Sequence, residues 1–231
     1  IVNKILAVVG IVLAAGGLAV LIIFGMKNLG NNTDIKPIEA LIKDSKLDEA
    51  KAGIDLIAEK KPNARALGAI YFKLAGAYEN KNDKVKARDM YQLILKKYQN
   101  LENISEVQDK LGKLNIAILF SKIVTERDAL YEVRPGDTLT NIAKKFGTTV
   151  DLIKSANSLK SDNIQARAKL KISKAKYKIL VDKSQNVLTL LGDNDIVKVY
   201  RVSTGENNCT PAGTFKIMNK IMDPVWYAEK A

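Results

Sequence analysis

Tyr131-Glu132-Val133-Arg134-Pro135-Gly136-Asp137-Thr138-Leu139, followed by Ile142-Ala143, Phe146-Gly147-Thr148-Thr149-Val150 and Leu152-Ile153, is the stretch from which the rest of the chain is read. Tyr131 and Val133 alternate with charged neighbours as one face of a strand, and Pro135-Gly136 turns the chain. Asp137 or Thr138 caps a helix whose buried face is Leu139, Ile142, Ala143 and Phe146. Val150, Leu152 and Ile153 begin a second helix that ends near Asn157. Leu159, Ile164, Leu170 and Ile172 then supply the return to a closing strand. Residues 131–172 therefore predict a small β-α-α-β unit.

On these residues the unit resembles a LysM domain, a family that binds the N-acetylglucosamine-containing glycan of peptidoglycan or chitin. The resemblance implies a shallow groove between the loop before the first helix and the loop after the second. Carried over, the glycan-binding residues are Gly136, Asp137, Thr138 and Leu139 on one side and Asn157, Leu159 and Ile164 on the other. Asp137 and Thr138 are needed as caps whether or not sugar binds, and Leu159 and Ile164 suit a plain core equally well. The family usually has a glycine shortly before the last strand, where this chain has Arg167. If that turn requires positive φ, the arginine strains it.

Downstream the pattern changes to strands at Tyr177–Val181, Val187–Leu191 and Ile196–Val202, with turns at 182–186 and 192–194. Then follow Ser203-Thr204-Gly205, Thr210-Pro211-Ala212-Gly213-Thr214-Phe215 and Pro224-Val225-Trp226-Tyr227. In this order the motifs resemble the first half of an L,D-transpeptidase catalytic domain, expected over 177–231. That family uses a cysteine thiolate, activated by histidine, to attack a peptidoglycan stem peptide; an amine of a second stem peptide then resolves the thioester. The family's nucleophile lies in a later Ser-His-Gly-Cys-x-Arg motif, which these residues do not reach. The chain has no histidine and a single cysteine, Cys209. Cys209 sits at a variable turn position without a base, so no catalytic residue is assigned and the chain alone is expected to be inactive. No cofactor or metal is expected.

Upstream, Tyr71, Leu74, Ala75 and Tyr78, then Ala87, Tyr91 and Ile94, have the spacing of an antiparallel helix pair in which alanines allow close approach and tyrosines fill the space around them. This resembles a tetratricopeptide repeat. A weaker copy runs through Leu41, Ala50, Ile54 and Ile57, and the stripe Ile104, Val107, Leu111, Leu114, Ile118 predicts a closing helix. The region 34–127 is expected to act as a spacer or to dock a protein partner. Before it, 22 consecutive uncharged residues from Ile5 to Met26 lie between Lys4 and Lys27. As a helix they span about 33 Å, enough for a single-pass membrane helix with the remainder outside the cytoplasmic membrane.

The fold class is thus a multidomain α+β chain, expected to be a fragment because it starts at Ile1 and ends in a strand-like run. The net charge of +12 divides as +2, +3, +4 and +3 over residues 1–30, 31–130, 131–172 and 173–231. Such an even spread argues against a nucleic-acid groove and agrees with an anionic wall as surroundings. One cysteine excludes an internal disulfide.

Overall fold

The structure, a computed structural model, describes residues 35–64, 66–205, 209–219 and 221. The apolar run at 5–26 and the Pro224–Tyr227 motif lie outside the described residues. Among those described, no helix is long and apolar enough to cross a membrane.

Five helices come first: α1 (Lys36–Lys43), α2 (Leu47–Lys60), α3 (Ala66–Asn80), α4 (Lys84–Lys97) and α5 (Ile104–Leu119). Pro37 starts α1 at a position where a missing N–H costs nothing. Asp83 caps α4 by accepting from the Lys86 N–H at 3.1 Å, and Lys96 and Lys97 close its last turn, where cations oppose the helix dipole. Each helix packs on the next, and the stripes expected from the sequence, Ile118 apart, form one core. Tyr71, Leu74, Ala75, Tyr78, Ala87, Tyr91 and Ile94 are all buried.

Each buried tyrosine hydroxyl reaches a carboxylate. Tyr71 donates to Asp55 at 2.8 Å, Tyr78 to Asp48 at 2.8 Å and Tyr91 to Glu79 at 2.5 Å. The ring thus fills the inter-helix space while its polar end remains satisfied at the rim. Burial first, and the accepting carboxylate second, hold all three phenols well above the usual tyrosine range.

The βααβ unit follows as β1 (Asp128–Glu132), α6 (Leu139–Phe146), α7 (Val150–Asn157) and β2 (Lys169–Ser173). β1 and β2 pair antiparallel, with Tyr131 opposite Leu170 and Asp128 opposite Ser173. The first strand begins at Asp128, three residues before the expected Tyr131, because pairing with β2 continues beyond the alternating apolar pattern. Val133, Leu139, Ile142, Ala143, Ile153, Leu170 and Ile172 make a second, separate core.

A third unit is the antiparallel sheet β3 (Tyr177–Asp182), β4 (Val187–Gly192) and β5 (Asp195–Arg201), in the order β3-β4-β5. Its strands agree with those expected to within two residues at each end. β5 packs on α5, and Ile196 joins the helical core. The β3 side is open: Ile179, Leu180 and Val181 are exposed, Leu180 to 61%.

Candidate glycan-binding face and the catalytic-domain strands

The loop between β1 and α6 is built around one turn. Arg134 O accepts from the Asp137 N–H at 3.1 Å, with Pro135 and Gly136 at the two central positions and Gly136 at φ +85°. This is the geometry of a type II turn, which suits proline followed by glycine. Asp137 does not cap the helix. Its Oδ2 accepts from the Arg134 N–H at 2.8 Å and from the Tyr131 hydroxyl at 2.7 Å, which fastens the turn to β1. Those two bonds, the backbone one first, hold the Asp137 carboxyl below the usual range. The cap is Thr138, whose Oγ1 accepts from the Asn141 N–H at 3.2 Å.

Above this turn sits a small aromatic group. The Tyr131 and Phe146 rings meet edge to face at 5.5 Å, and the Lys145 ammonium lies 4.8 Å from the Tyr131 ring centre.

On the other side, α7 is capped by Thr149, accepting from the Leu152 N–H at 3.1 Å, and ends at Ser158 in the left-handed region with φ +57°. The Asn157 side chain points inward and is 5% exposed. Its Nδ2 donates to Ile153 O and Lys171 O, both at 2.8 Å, and its Oδ1 accepts from the Lys171 N–H at 2.8 Å. That amide joins α7 to the outer edge of β2. Leu159 and Ile164 are half-buried against the same core that holds the buried Leu139. Thus both loops rest on one apolar floor. Of the seven expected residues, Gly136 and Thr138 are exposed, Asp137, Leu159 and Ile164 are partly covered, and Leu139 and Asn157 are buried.

Arg167, which stands where a glycine was expected, has φ +70°. Its N–H donates to Val133 O at 2.7 Å and the Val133 N–H donates to Ala168 O at 2.9 Å, so the turn is locked into the end of the ladder. The expected strain is present.

In the third unit, the loop carrying Ser203, Thr204 and Gly205 is pinned at two points. The Gly205 N–H donates to Thr210 Oγ1 at 2.7 Å, and the Thr204 hydroxyl meets Asn186 Oδ1 at 3.0 Å. Lys183 Nζ donates to Thr210 O. Cys209 is exposed beside this loop. Among the described residues no group of three or more His, Cys, Asp or Glu side chains is placed to hold a metal ion.

Residues 131–173 match the LysM domain family, and 176–231 match the L,D-transpeptidase catalytic domain family. The chain carries a LysM domain followed by L,D-transpeptidase sequence. Over 51 residues it is 45% identical to LytE of Bacillus subtilis, named as a peptidoglycan endopeptidase; this covers 22% of the chain and 15% of LytE. It is 37% identical over 76 residues to the B. subtilis cell wall-binding protein YocH, covering 32% of the chain and 26% of YocH. Over 103 residues it is 31% identical to YkuD of Bacillus licheniformis, named as an L,D-transpeptidase, covering 41% of the chain and 62% of YkuD. The chain therefore spans less than two thirds of each of these relatives. No solved structure matches it.

The sequence reading missed the most deeply buried charge. Lys171 on β2 of the LysM domain is 2% exposed, and its ammonium donates to Ile118 O at 2.7 Å, Ser121 O at 3.1 Å and Leu119 O at 3.4 Å, at the end of α5. Asp128 on β1 lies 3.7 Å away. Burial pushes the Lys171 ammonium below the usual lysine range, and Asp128 opposes that shift. Its place in the sequence, between two apolar residues of a strand, carried no signal of this: alternation aims it away from the core of Leu170 and Ile172, where a solvent-facing lysine has the same pattern.

Proposed function

We propose that the LysM domain holds this chain on the glycan of peptidoglycan, and that it belongs to a membrane-anchored L,D-transpeptidase which cross-links stem peptides through a cysteine thioester. The observation that carries the reading is the pair of loops at 136–139 and 157–164, both seated on one floor through Leu139, Leu159 and Ile164 and stiffened from behind by Asp137 and Asn157. A groove whose backbone is fixed before ligand arrives loses little freedom on binding. The names of LytE and YocH, peptidoglycan endopeptidase and cell wall-binding protein, point to the same polymer.

The 231 residues themselves form no acyl-enzyme in this reading. They contain no histidine, and the one thiol, Cys209, is exposed and has no imidazole to activate it. The apolar run at 5–26 is read as a single-pass anchor in the cytoplasmic membrane, with everything after residue 27 in the periplasm or wall. The helical hairpins are read as tetratricopeptide-like units, a spacer with room for a protein partner. Nucleic acid is not a partner. The alternative is a wall-binding scaffold without catalysis.

The test is sedimentation of the full chain with purified sacculi, with soluble N-acetylglucosamine oligomers as competitor, alongside intact-mass analysis after exposure to a carbapenem. The expected outcome is a chain that pellets with sacculi, is released by the oligomers and gains no acyl mass. A folded chain that stays in the supernatant overturns the glycan reading, and an acyl adduct overturns the inactivity.

A further inference from the structure

We propose that the helical array is an internal bracket, fixing the LysM domain and the transpeptidase-type sheet in one orientation so that glycan is presented at a set position. The glycan part rests on the reading above. The mechanical part rests only on the contacts that follow.

The covalent link between LysM domain and sheet is residues 174–176, and its two lysines are tied down through their backbone. The Lys174 N–H donates to Arg127 O at 2.9 Å, the Lys176 N–H to Asp193 Oδ1 at 3.0 Å, and Asp193 N–H to Lys176 O at 2.8 Å. Across the link, the Ser173 and Tyr177 hydroxyls are 3.0 Å apart. A linker with its backbone committed in this way is not a free coil.

The array grips both neighbours from the other side. Toward the LysM domain, the Lys171 ammonium donates to the Ile118 and Leu119 carbonyls at the end of α5 and to Ser121 O just beyond it, where a cation suits the helix dipole. Toward the sheet, Asn115 on α5 donates its amide to Ile196 O at 3.1 Å and Val197 O at 3.0 Å. Asp195, at the start of β5, accepts from Lys96 of α4 at 2.7 Å and from the Arg127 guanidinium that precedes β1. At the meeting point of all three units is a cavity of only about 40 Å³, bounded among others by Arg88, Asn115, Asp128, Lys171 and Tyr177. A buried, hydrogen-bonded lysine leaves little room for a sliding interface, since any displacement strands a charge in a desolvated place.

A fixed bracket and a swinging tether differ in what they do to substrate. A flexible linker raises the local concentration of every stem peptide within reach, whereas a rigid one raises it only for those at the matching position and excludes the others. The structure thus assigns the array a positioning role, with Lys171 and Asp195 as its two grips.

The experiment is pulsed electron–electron distance measurement on the full chain in detergent, in a Cys209→Ser background with spin labels at Lys60→Cys and Lys144→Cys, and separately at Lys144→Cys and Gln185→Cys. The expected result is one narrow distance distribution for each pair, lost to a broad one for the pair across the grip in Lys171→Met and in Asp195→Ser. Should Lys171→Met fail to fold by circular dichroism, Asp195→Ser and Asn115→Ala carry the test through the sheet-side grip. Broad distributions in the parent chain overturn the bracket, and narrow ones that survive all three substitutions overturn the assignment of the grips. Failure to pellet with sacculi, with the distributions still narrow, removes the glycan reading and leaves the bracket standing.

Discussion

The Lys171 ammonium and the Asp128 carboxylate stand 3.7 Å apart with their side chains only 2% and 4% exposed, one on each strand of the LysM ladder. Asp128 also accepts from the Thr125 N–H and hydroxyl, both at 2.8 Å, so the pair is embedded in further hydrogen bonds. Removing the lysine alone leaves the carboxylate, the Ile118 and Leu119 carbonyls of α5 and the Ser121 carbonyl beyond it without their cation. Lys171→Met is therefore expected to cost about 3–5 kcal/mol, as for other buried pairs broken on one side. Lys171→Met with Asp128→Asn is expected to recover a good part of that loss, because the stranded charge goes too. Urea unfolding of the two variants and the parent decides this, and equal losses in both would contradict it.

Asn157 lies at the edge of the candidate sugar groove, yet all its amide capacity seen in the structure is spent on Ile153 O and the backbone of Lys171. Truncation to alanine leaves a buried N–H and carbonyl on β2 unpaired, at about 1–3 kcal/mol for each group that stays dry. Asn157→Asp keeps the acceptor for the Lys171 N–H but faces Lys171 O with a carboxylate oxygen. Both variants are expected to lose stability in urea, and hydrogen exchange at the β2 amides is expected to quicken. A stability equal to the parent's would show that the amide acts only toward solvent.

Two turn residues with positive φ give opposite expectations. Gly136 sits at +85° with nothing within 4 Å of where a Cβ would stand, so Gly136→Ala meets no clash and pays only for conformation, about 1 kcal/mol. Arg167 is at +70° already, so Arg167→Gly relieves a similar strain while adding freedom to the unfolded chain. The expected result is a loss for the first and a gain of up to about 1 kcal/mol for the second. Thermal unfolding monitored by circular dichroism reads both, and a destabilised Arg167→Gly would mean that the arginine side chain is needed where it lies.

What the sequence disclosed and what it withheld divide along one physical line. Periodicity reports which residues leave water, so the stripe from Tyr71 to Ile94, the capped helices of the LysM domain and the three strands after Tyr177 were all legible. The turn at Arg167 was flagged only through the family's usual glycine, and the structure supplies the positive φ. The grips of Lys171, Asn115 and Asp195 were not legible, because a polar residue on a strand or helix surface has the same pattern whether it meets water or another unit. Asn157 was placed beside the groove by the family resemblance, which locates the loop at the end of α7 but does not tell which way the amide turns. Even the start of the first strand was displaced, since Asp128 enters the ladder through pairing with Ser173 rather than through hydrophobic alternation.

Alkaline pH offers a test of the helical core that is independent of the wall. Tyr71, Tyr78 and Tyr91 have phenols raised by burial and by the carboxylates they donate to, so the folded chain keeps three protons that the unfolded chain gives up near the ordinary tyrosine value of about 10. Their contribution is fully present below about pH 10 and is lost as pH rises toward the folded values, at about 1.4 kcal/mol per pH unit for each retained proton. Lys171 works the other way: its folded value is depressed, so it favours folding as pH rises through the interval just below the ordinary lysine value of about 10.4, and then stops. One proton against three leaves a net fall. Urea midpoints are thus expected to be nearly level up to about pH 9.5 and to drop steeply beyond about pH 10.5. Tyr91→Phe, which keeps the ring but removes a titrating group and its bond to Glu79, is expected to start from a lower stability and fall less steeply. A parent chain whose midpoint is as high at about pH 11 as at about pH 9 would show that these phenols ionise as freely folded as unfolded.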